Sequence, residues 1–257
     1  MNQTSHHQGE FSRMSQDYSV RLRKTVSEIN HAWQTLCSDE WQESAFSDLH
    51  TIVHKLAGTA KSFGFDEAGQ RIIKLDKRFR EIDKSAMPDD AEKQQIELLL
   101  AEITQLADEP GRAMAPLQSS ISIPSYTSDL IYIVDDDDDA SRYTRAILEA
   151  AGYSTKAFSS LTEFHLALEK KRPDLIIMDI VFPEGTFAGI EAINQLGAEL
   201  GNNIPIIFNS FRSDVQTRVR ALRAGGCAYI TKPVDPETLL SAVDSNARTE
   251  QTRKRVV

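Results

Sequence analysis

The sequence has few cysteines, no long apolar run and no excess of basic residues. Cys37 and Cys227 are far apart and show no metal-ligand spacing, so we expect reduced packing residues in a cytoplasmic protein. No run of about 18 apolar residues occurs, which predicts that no segment spans a membrane. Residues 1–10 lack the apolar region of a signal peptide. The net charge of −9 argues against nucleic acid as a partner.

The composition indicates a globular protein with two domains. The 257 residues are 40% hydrophobic and 26% charged, enough for two separate cores. The interval 109–128 contains Pro110, Gly111, Pro116 and Pro124 and has no apolar period, which is typical of a linker. We predict a disordered tail over 1–14, a helical domain over 15–108, the linker over 109–128, an α/β domain over 129–247 and a tail over 248–257.

The first half of the chain has helical periodicity throughout. Apolar residues recur at spacings of three and four in segments 18–37, 43–63, 66–82 and 89–108. Helices of this length with short connections predict an all-α four-helix bundle.

The second half alternates short apolar strands with helices. Strands are predicted at 131–134, 154–158, 175–178, 204–209 and 228–230, with helices at 141–151, 161–170, 191–200, 215–224 and 236–248. Because the strands are almost wholly apolar, both faces of the sheet must be covered. The pattern predicts an α/β doubly wound domain with a five-stranded parallel sheet.

Polar residues follow the predicted strands at one edge of this sheet. Asp135 and Asp136 follow the first strand, Asp179 the third, Ser210 the fourth and Lys232 the fifth. Ligands of such sheets bind at the carboxyl ends of the strands, so these side chains are expected to converge.

Three neighbouring carboxylates repel one another unless a cation lies among them, and Mg²⁺ prefers oxygen ligands of this kind. Asp179 is then a candidate nucleophile toward phosphorus. Lys232 and the Ser210 hydroxyl are candidates for contacting the phosphoryl oxygens, because phosphoryl transfer depends on positioning and charge stabilisation. The alternative is that Asp135–Asp139 form a solvated acidic loop. The matching positions of Asp179, Ser210, Lys232 and Pro233 favour the site.

Residues 130–245 resemble the receiver domain of two-component response regulators, a flavodoxin-like fold. The resemblance rests on 131–136, on Met178-Asp179 with Pro183 four residues later, on Ser210 and on 229–233. It implies that Asp179 is the phosphoacceptor. It also implies Mg²⁺ binding by Asp135, Asp136, Asp179 and the Val181 carbonyl, and switch positions at Ser210 and Tyr229.

Two features depart from this family. Phe187 stands eight residues beyond Asp179, where a glycine is usual, and Gly189 comes two residues later. We therefore expect a longer loop after the third strand. Phe211 follows Ser210 where a small residue is common, which predicts narrower access to Asp179.

A second candidate acceptor lies in the helical half. On a helix, His54, Gly58 and Lys61 share one face. Glycine inside a helix costs about 1 kcal/mol relative to alanine, so Gly58 calls for a reason, such as exposing the imidazole. A neutral imidazole nitrogen is nucleophilic near physiological pH.

Residues 54–64 resemble the acceptor segment of the histidine phosphotransfer (HPt) domain, a four-helix bundle. The resemblance implies that His54 is a phosphoacceptor, supported by Lys55, Gly58, Lys61 and Gly64. Ala57 departs from the family, in which lysine is common there. The alternatives are a surface His54 above a packing Gly58, or His50 as the acceptor on the same helix.

Both resemblances together predict a phosphorelay protein without an ATP site, since no P-loop or other glycine-rich nucleotide loop occurs. The expected partners are a sensor histidine kinase, a partner receiver or a phosphotransfer protein, and a homodimer through the receiver is compatible with the resemblance. Three other functions remain open. The first alternative is the regulatory half of a longer regulator, such as a cyclic-dinucleotide synthase. The second is a Mg²⁺-dependent phosphatase, and the third is a docking module.

Overall fold

The structure is a computed structural model and describes residues 2–38, 41–112, 129–200 and 204–255. The chain divides into two compact units, residues 1–116 and 117–257. Within the described ranges, no helix combines the length and apolar character needed to cross a membrane.

In the described part of the first unit, the regular secondary structure is helical. It contains α1 (Asn2–Ser38), α2 (Glu43–Thr59), a 3₁₀ turn (Ala60–Phe63), α3 (Asp66–Glu81) and α4 (Asp90–Asp108). Helix α1 contacts α2 and α4, and α3 contacts the same two helices. Trp33 and Phe46 both pack on Phe79, with ring centroids 5.6 Å and 5.1 Å away. The aromatic core therefore joins α1, α2 and α3, as a four-helix bundle requires.

Helix α1 starts much earlier than the apolar period indicated. The predicted disordered tail over 1–14 is wrong for residues 2–14, which are helical. Met14 is buried, and the Ser15 hydroxyl donates to the Phe63 carbonyl at 3.1 Å. No proline interrupts residues 2–38, and extending an existing helix adds one hydrogen bond per residue.

The residues after α4 pack back on the bundle. The Arg112 N–H donates to the Gly64 carbonyl at 2.8 Å. A Cβ at Gly111 would lie 2.9 Å from the Phe65 ring. Residues 109–112 of the predicted linker therefore belong structurally to the first unit, and 113–128 lie outside the described residues.

In the described part of the second unit, five parallel strands have the order β2-β1-β3-β4-β5. The elements are β1 (Leu130–Val134), α5 (Asp138–Ala150), β2 (Ser154–Phe158), α6 (Leu161–Lys170), β3 (Leu175–Met178), α7 (Ala188–Leu200), β4 (Ile206–Ser210), α8 (Val215–Arg223), β5 (Gly226–Thr231) and α9 (Pro236–Arg255). The predicted fold class is confirmed. Helix α9 continues through 248–255, where a tail was predicted.

The register of the sheet brings the predicted acidic residues together. Val134 at the end of β1 lies opposite Met178 at the end of β3. The next residues remain bonded to this edge, since Asp179 N–H donates to the Val134 carbonyl at 2.9 Å and Asp135 N–H donates to the Phe158 carbonyl at 3.1 Å. Buried apolar strands thus fix the backbone from which both carboxylates project.

Candidate functional site

The carboxylates of Asp135, Asp136 and Asp179 form one cluster at the carboxyl edge of the sheet. One carboxylate oxygen from each lies within 4.8 Å of the others. Asp135 and Asp179 are buried and Asp136 is half-buried. The structure therefore brings Asp179, which follows β3, together with Asp135 and Asp136, which follow β1.

The Lys232 ammonium lies between two of these acids. Its Nζ is 2.8 Å from Asp135 Oδ2 and 2.8 Å from Asp179 Oδ2. Lys232 follows β5, and its N–H donates to the Ser210 carbonyl at 3.0 Å. This backbone bond to the end of β4 fixes where the lysine side chain enters the cluster.

The cluster carries a surplus of negative charge. Burial, together with the nearby Asp179 and Asp137 and against the opposing effect of Lys232, raises the pKa of Asp135 to about 8. Burial alone would lower the pKa of Lys232, but Asp135 and Asp179 outweigh it and raise that pKa well above its usual range. One ammonium cannot neutralise the carboxylates around it, so the site favours an additional cation.

The five consecutive aspartates have two structural roles. Asp135 and Asp136 belong to the carboxylate cluster, and the next three lie at the start of α5. Asp137 caps α5, because its Oδ1 accepts from Asp139 N–H at 2.9 Å and Ala140 N–H at 3.2 Å. Burial raises the pKa of Asp137. Asp138 and Asp139 lie in the first turn of α5, where the helix dipole favours acids. The alternative of a merely solvated loop does not account for this arrangement. The capping role of Asp137 was missed, because the helix was predicted to begin at Ser141 and it begins at Asp138.

The loop after Asp179 approaches the backbone of that residue closely. Ile180 N–H donates to Asp179 Oδ1 at 2.6 Å, and Gly189 N–H donates to the Ile180 carbonyl at 3.0 Å. A Cβ at Gly189 would lie 1.9 Å from the Asp179 carbonyl oxygen. Gly189 therefore allows α7 to start against the backbone at the end of β3. Phe182 and Gly185 form a small antiparallel bridge in the preceding loop.

Phe187 occupies a different environment from Gly189. The guanidinium carbons of Arg212 and Arg220 lie 4.8 Å and 4.1 Å from its ring centroid. Arg220 also contacts Glu191 Oε1 at 3.2 Å. Phe187 thus connects the loop after β3 to α8 and to the segment that precedes it.

The predicted switch residues lie on neighbouring strands. Ser210 is buried, and within the described residues its Oγ has no hydrogen-bond partner. The Tyr229 hydroxyl donates to the Arg212 carbonyl, and Arg218 lies 5.4 Å above the Tyr229 ring. Burial, with Asp214 next in effect, raises the pKa of Tyr229 to about 12. Phe211 is half-buried beside Ser210.

The candidate histidine lies on α2 and contacts a buried carboxylate on α3. His54 Nδ1 is 3.1 Å from Asp76 Oδ1, and His50 Nε2 is 3.2 Å from the same oxygen. Arg80 donates to the other oxygen, Oδ2. Asp76 is completely buried, whereas 23% of the His54 side chain is exposed. Sequence reasoning missed Asp76, because its contact with α2 arises only when the helices pack.

Hydrogen bonds decide the charge of this carboxylate. Burial alone would raise the pKa of Asp76, but the bonds from His50, His54 and Arg80 outweigh burial and hold that pKa well below its usual range. Asp76 is therefore an ionised, acceptor-only group at neutral pH.

The other predicted residues of the histidine site are distributed around it. Lys55 is half-buried on α2, and Lys61 is half-buried in the 3₁₀ turn. Gly58 is buried, which agrees with the packing alternative. Gly64 has φ +87°, and a Cβ there would lie 2.1 Å from the Arg112 carbonyl oxygen. Gly64 is thus required by the turn that ends the helical segment.

Comparison with known families assigns both units. The family model of the Hpt domain matches residues 13–109, and that of the response regulator receiver domain matches 131–244. The chain carries an Hpt domain and a receiver domain. Both are signalling modules, and they imply phosphotransfer partners such as histidine kinases.

Individual relatives match the receiver half. The response regulator protein TodT of Pseudomonas putida is 34% identical over 134 residues, covering 52% of this chain and 57% of TodT. The response regulator protein TmoT of Ectopseudomonas mendocina is 37% identical over 114 residues, covering 44% and 50%. The chain therefore spans about half the length of the curated relatives it matches. These findings do not favour the alternative that the chain is the regulatory half of a longer regulator, such as a cyclic-dinucleotide synthase.

Among solved structures, a CheY-like receiver domain protein from Methanospirillum hungatei JF-1 matches with a TM-score of 0.46 and 28% sequence identity. The match covers 49% of this chain and 99% of that protein.

The receiver domain has a donor set that fits Mg²⁺. Receiver domains generally bind this ion at an acidic pocket, and the clustered carboxylates provide hard oxygen ligands. Asp135, Asp136 and Asp179 are close enough to share one ion. The raised pKa of Asp135 is the electrostatic sign of a site that gains from a divalent cation.

Proposed function

We propose that this protein is a phosphorelay component that accepts phosphoryl groups at Asp179 and at His54. The observation that carries the proposal is the Asp135–Asp179–Lys232 cluster on the same chain as a histidine held by a buried carboxylate. An aspartate acceptor and a histidine acceptor have opposite chemistry, and their combination suits transfer between proteins.

At the receiver, a carboxylate oxygen of Asp179 attacks the phosphorus of the donor. The new O–P bond forms as the bond to the donor breaks, and the donor keeps that electron pair. Lys232 holds one oxygen of Asp179 and orients the other toward phosphorus. The Ser210 hydroxyl, buried at the adjacent strand end, donates to a phosphoryl oxygen. Bound Mg²⁺, held by Asp135, Asp136, Asp179 and the Val181 carbonyl, would neutralise charge on the transferring group.

At the bundle, a ring nitrogen of His54 accepts the phosphoryl group, and Lys55 and Lys61 lower the cost of the added negative charge. Gly58 and Gly64 shape the helical segment that carries them. The donor is a sensor histidine kinase or a phosphorylated receiver, and the chain itself contributes no ATP site. Ser210 and Tyr229 change contacts when Asp179 carries the phosphoryl group.

The test is phosphorylation of the full chain by acetyl phosphate with Mg²⁺, followed by intact mass and peptide mapping. The parent protein should gain a phosphoryl group at Asp179, and Asp179→Asn should not. If the two sites exchange, His54 also becomes phosphorylated in the parent but not in Asp179→Asn or His54→Gln. His31→Gln, at an exposed histidine of α1, is the matched control and should behave like the parent.

Phosphate on Asp179 alone would support the receiver and leave the bundle for a partner protein. No phosphate on Asp179 would contradict the proposal and favour a docking module. Continuous release of phosphate from p-nitrophenyl phosphate, lost in Asp179→Asn, would instead indicate a phosphatase.

A further inference from the structure

The buried carboxylate of Asp76 bonds two histidines at different ring nitrogens. Its Oδ1 faces Nδ1 of His54 and Nε2 of His50, and its Oδ2 accepts from Arg80. We propose that Asp76 is a positioning residue that imposes opposite tautomers on His50 and His54 and so places the reactive lone pair of His54 at Nε2. This inference rests on the proposed role of His54 as a phosphoacceptor.

The tautomers follow from hydrogen-bond chemistry. An ionised carboxylate offers only acceptor oxygens, so each nitrogen that bonds it must carry a hydrogen. His54 then has its hydrogen at Nδ1 and its lone pair at Nε2. His50 has its hydrogen at Nε2 and its lone pair at Nδ1. The Arg80 guanidinium on Oδ2 keeps the carboxylate ionised, since an adjacent cation stabilises the charged form.

The same geometry distinguishes the two candidate acceptors. The His50 ring lies edge-on to Phe79 at 5.9 Å and is 6.3 Å from Phe46, so aromatic core residues surround it. Only 15% of the His50 side chain is exposed, against 23% for His54. The lone pair of His50, at Nδ1, belongs to the more buried of the two rings, so His50 serves as a second donor to Asp76 and not as the phosphoacceptor.

The transfer step balances without loss of a proton from the ring. The Nε2 lone pair of His54 forms the N–P bond as the P–O bond to the donor aspartate breaks, and the donor leaves as a carboxylate. The ring keeps its Nδ1 hydrogen and becomes positively charged. Asp76 then faces a cation through the same hydrogen bond, which strengthens as charge develops. Asp76 acts through His54 and does not contact the phosphoryl group.

The first test needs no phosphoryl transfer. Long-range ¹H–¹⁵N correlation spectra of the ¹⁵N-labelled full chain report which nitrogen of each histidine carries the hydrogen. We expect Nδ1–H for His54 and Nε2–H for His50 at pH 8. An Nε2–H tautomer at His54, or equal tautomers at both residues, would overturn the proposal whether or not the protein is a phosphorelay component.

The second test uses Asp76→Asn. Arg80 should attract the single amide oxygen, which turns the NH₂ group toward His54 and reverses its tautomer, as an Asp→Asn change does beside a catalytic histidine. The His54 hydrogen should move to Nε2. Phosphorylation of His54 by phosphoramidate should slow by about 100-fold, within the range of acid–base positioning effects.

His50→Gln is the matched variant, because it removes the second donor and leaves Asp76 in place. His54 should keep Nδ1–H in this variant and become phosphorylated at Nε2, detected with antibodies that distinguish the two phosphohistidine isomers. An unchanged His54 tautomer in folded Asp76→Asn would overturn the proposal. If Asp76→Asn does not fold, the tautomers of the parent and of His50→Gln still decide it. Loss of phosphorylation with the expected tautomers would count against the proposed function and not against the positioning role.

Discussion

Asp76 in the Hpt domain and Asp135 in the receiver domain are both buried carboxylates, 0% and 3% exposed, yet their pKa values shift in opposite directions. Among the described residues, Asp76 accepts hydrogen bonds from His50, His54 and Arg80. Asp135 shares the ammonium of Lys232 with Asp179. Burial raises the pKa of both acids. At Asp76 the three donors outweigh burial, whereas at Asp135 the neighbouring Asp179 and Asp137 add to burial and Lys232 does not offset them.

The two sites therefore differ in whether side chains alone compensate the buried carboxylate: they do so at Asp76 and do not at Asp135. The carboxylate of Asp76 in the Hpt domain is compensated by hydrogen bonds from neighbouring side chains. The receiver carboxylates carry a surplus charge that side chains do not balance, which is the condition under which Mg²⁺ binds. Substitutions that remove the compensated carboxylate of Asp76 or the surplus charge of Asp135 test this difference.

The largest effect is expected from Asp76→Ala. Removing the acid leaves Arg80 and two histidine donors without their partner, so the free energy of unfolding of the Hpt domain should fall by about 3–5 kcal/mol. Urea unfolding of the full chain, monitored by Trp33 and Trp41 fluorescence, measures this change. Asp83→Ala, at an exposed acid just after α3, is the control and should cost little.

The loss caused by Asp76→Ala should depend on pH. Because the folded pKa of Asp76 is lowered, its stabilisation is complete above the unfolded value of about 3.9 and disappears as pH falls toward the folded value. The difference between variant and parent should therefore shrink below about pH 4. A difference that grows on acidification would contradict this account.

The next largest loss of stability is expected from replacing glycines by alanine, compared between the receiver and the Hpt domain. Gly189→Ala places a Cβ 1.9 Å from the carbonyl oxygen of Asp179, and we expect a loss of about 3 kcal/mol in receiver stability. Gly69→Ala in the Hpt domain meets the flexible Lys61 side chain at 2.6 Å and should cost less. Gly197→Ala, on the same helix as Gly189 with open space around it, is the control. Equal losses at Gly189 and Gly197 would contradict the close approach.

The receiver site was largely predictable from sequence. Asp135, Asp136, Asp179, Ser210 and Lys232 each follow a strand of a parallel sheet, and the topology of such a sheet forces these ends together. The role of Gly189 was not predicted, because a close approach between two backbones has no periodic signal. The expected glycine position is occupied by Phe187, which contacts Arg212 and Arg220.

The Hpt site was predictable only in part. His54 and His50 were recognised on one helix, but Asp76 lies on another helix, and its contact depends on how α2 and α3 pack. The early start of α1 was also missed, because residues 2–13 have no strong apolar period. Local patterns therefore predicted elements well and contacts between helices poorly.

Addition of Mg²⁺ should raise receiver stability and leave Hpt stability unchanged. At 100 times the dissociation constant, binding to the folded form alone contributes about 2.7 kcal/mol. Asp179→Asn should lose most of this gain, since it removes one of the clustered oxygens. Glu184→Gln, at an exposed acid in the same loop, should retain it. Equal stabilisation of both domains by Mg²⁺ would contradict the difference between the sites.

The smallest effect is expected from Asp135→Asn, and it has the opposite sign to Asp76→Ala. Without Mg²⁺ at pH 8, removing the surplus charge should stabilise the receiver by about 1 kcal/mol, the low end of the gain from replacing a buried charge by a neutral group. Because the folded pKa of Asp135 is raised to about 8, the cost of its charge grows from about pH 4 to pH 8, and so should the advantage of the variant. Urea titrations at pH 5 and pH 8 measure this slope. A destabilised variant at pH 8 would contradict the surplus of charge.

The most direct test of a histidine and an aspartate phosphoacceptor on one chain is how readily each phosphoryl group is lost in acid and in hydroxylamine. The full chain is treated with phosphoramidate and then with acetyl phosphate and Mg²⁺, and its intact mass is recorded after acid or hydroxylamine. The account predicts an acid-labile phosphate that is missing in His54→Gln and a hydroxylamine-labile phosphate that is missing in Asp179→Asn. Two phosphates of the same lability, or either phosphate persisting in its variant, would contradict it.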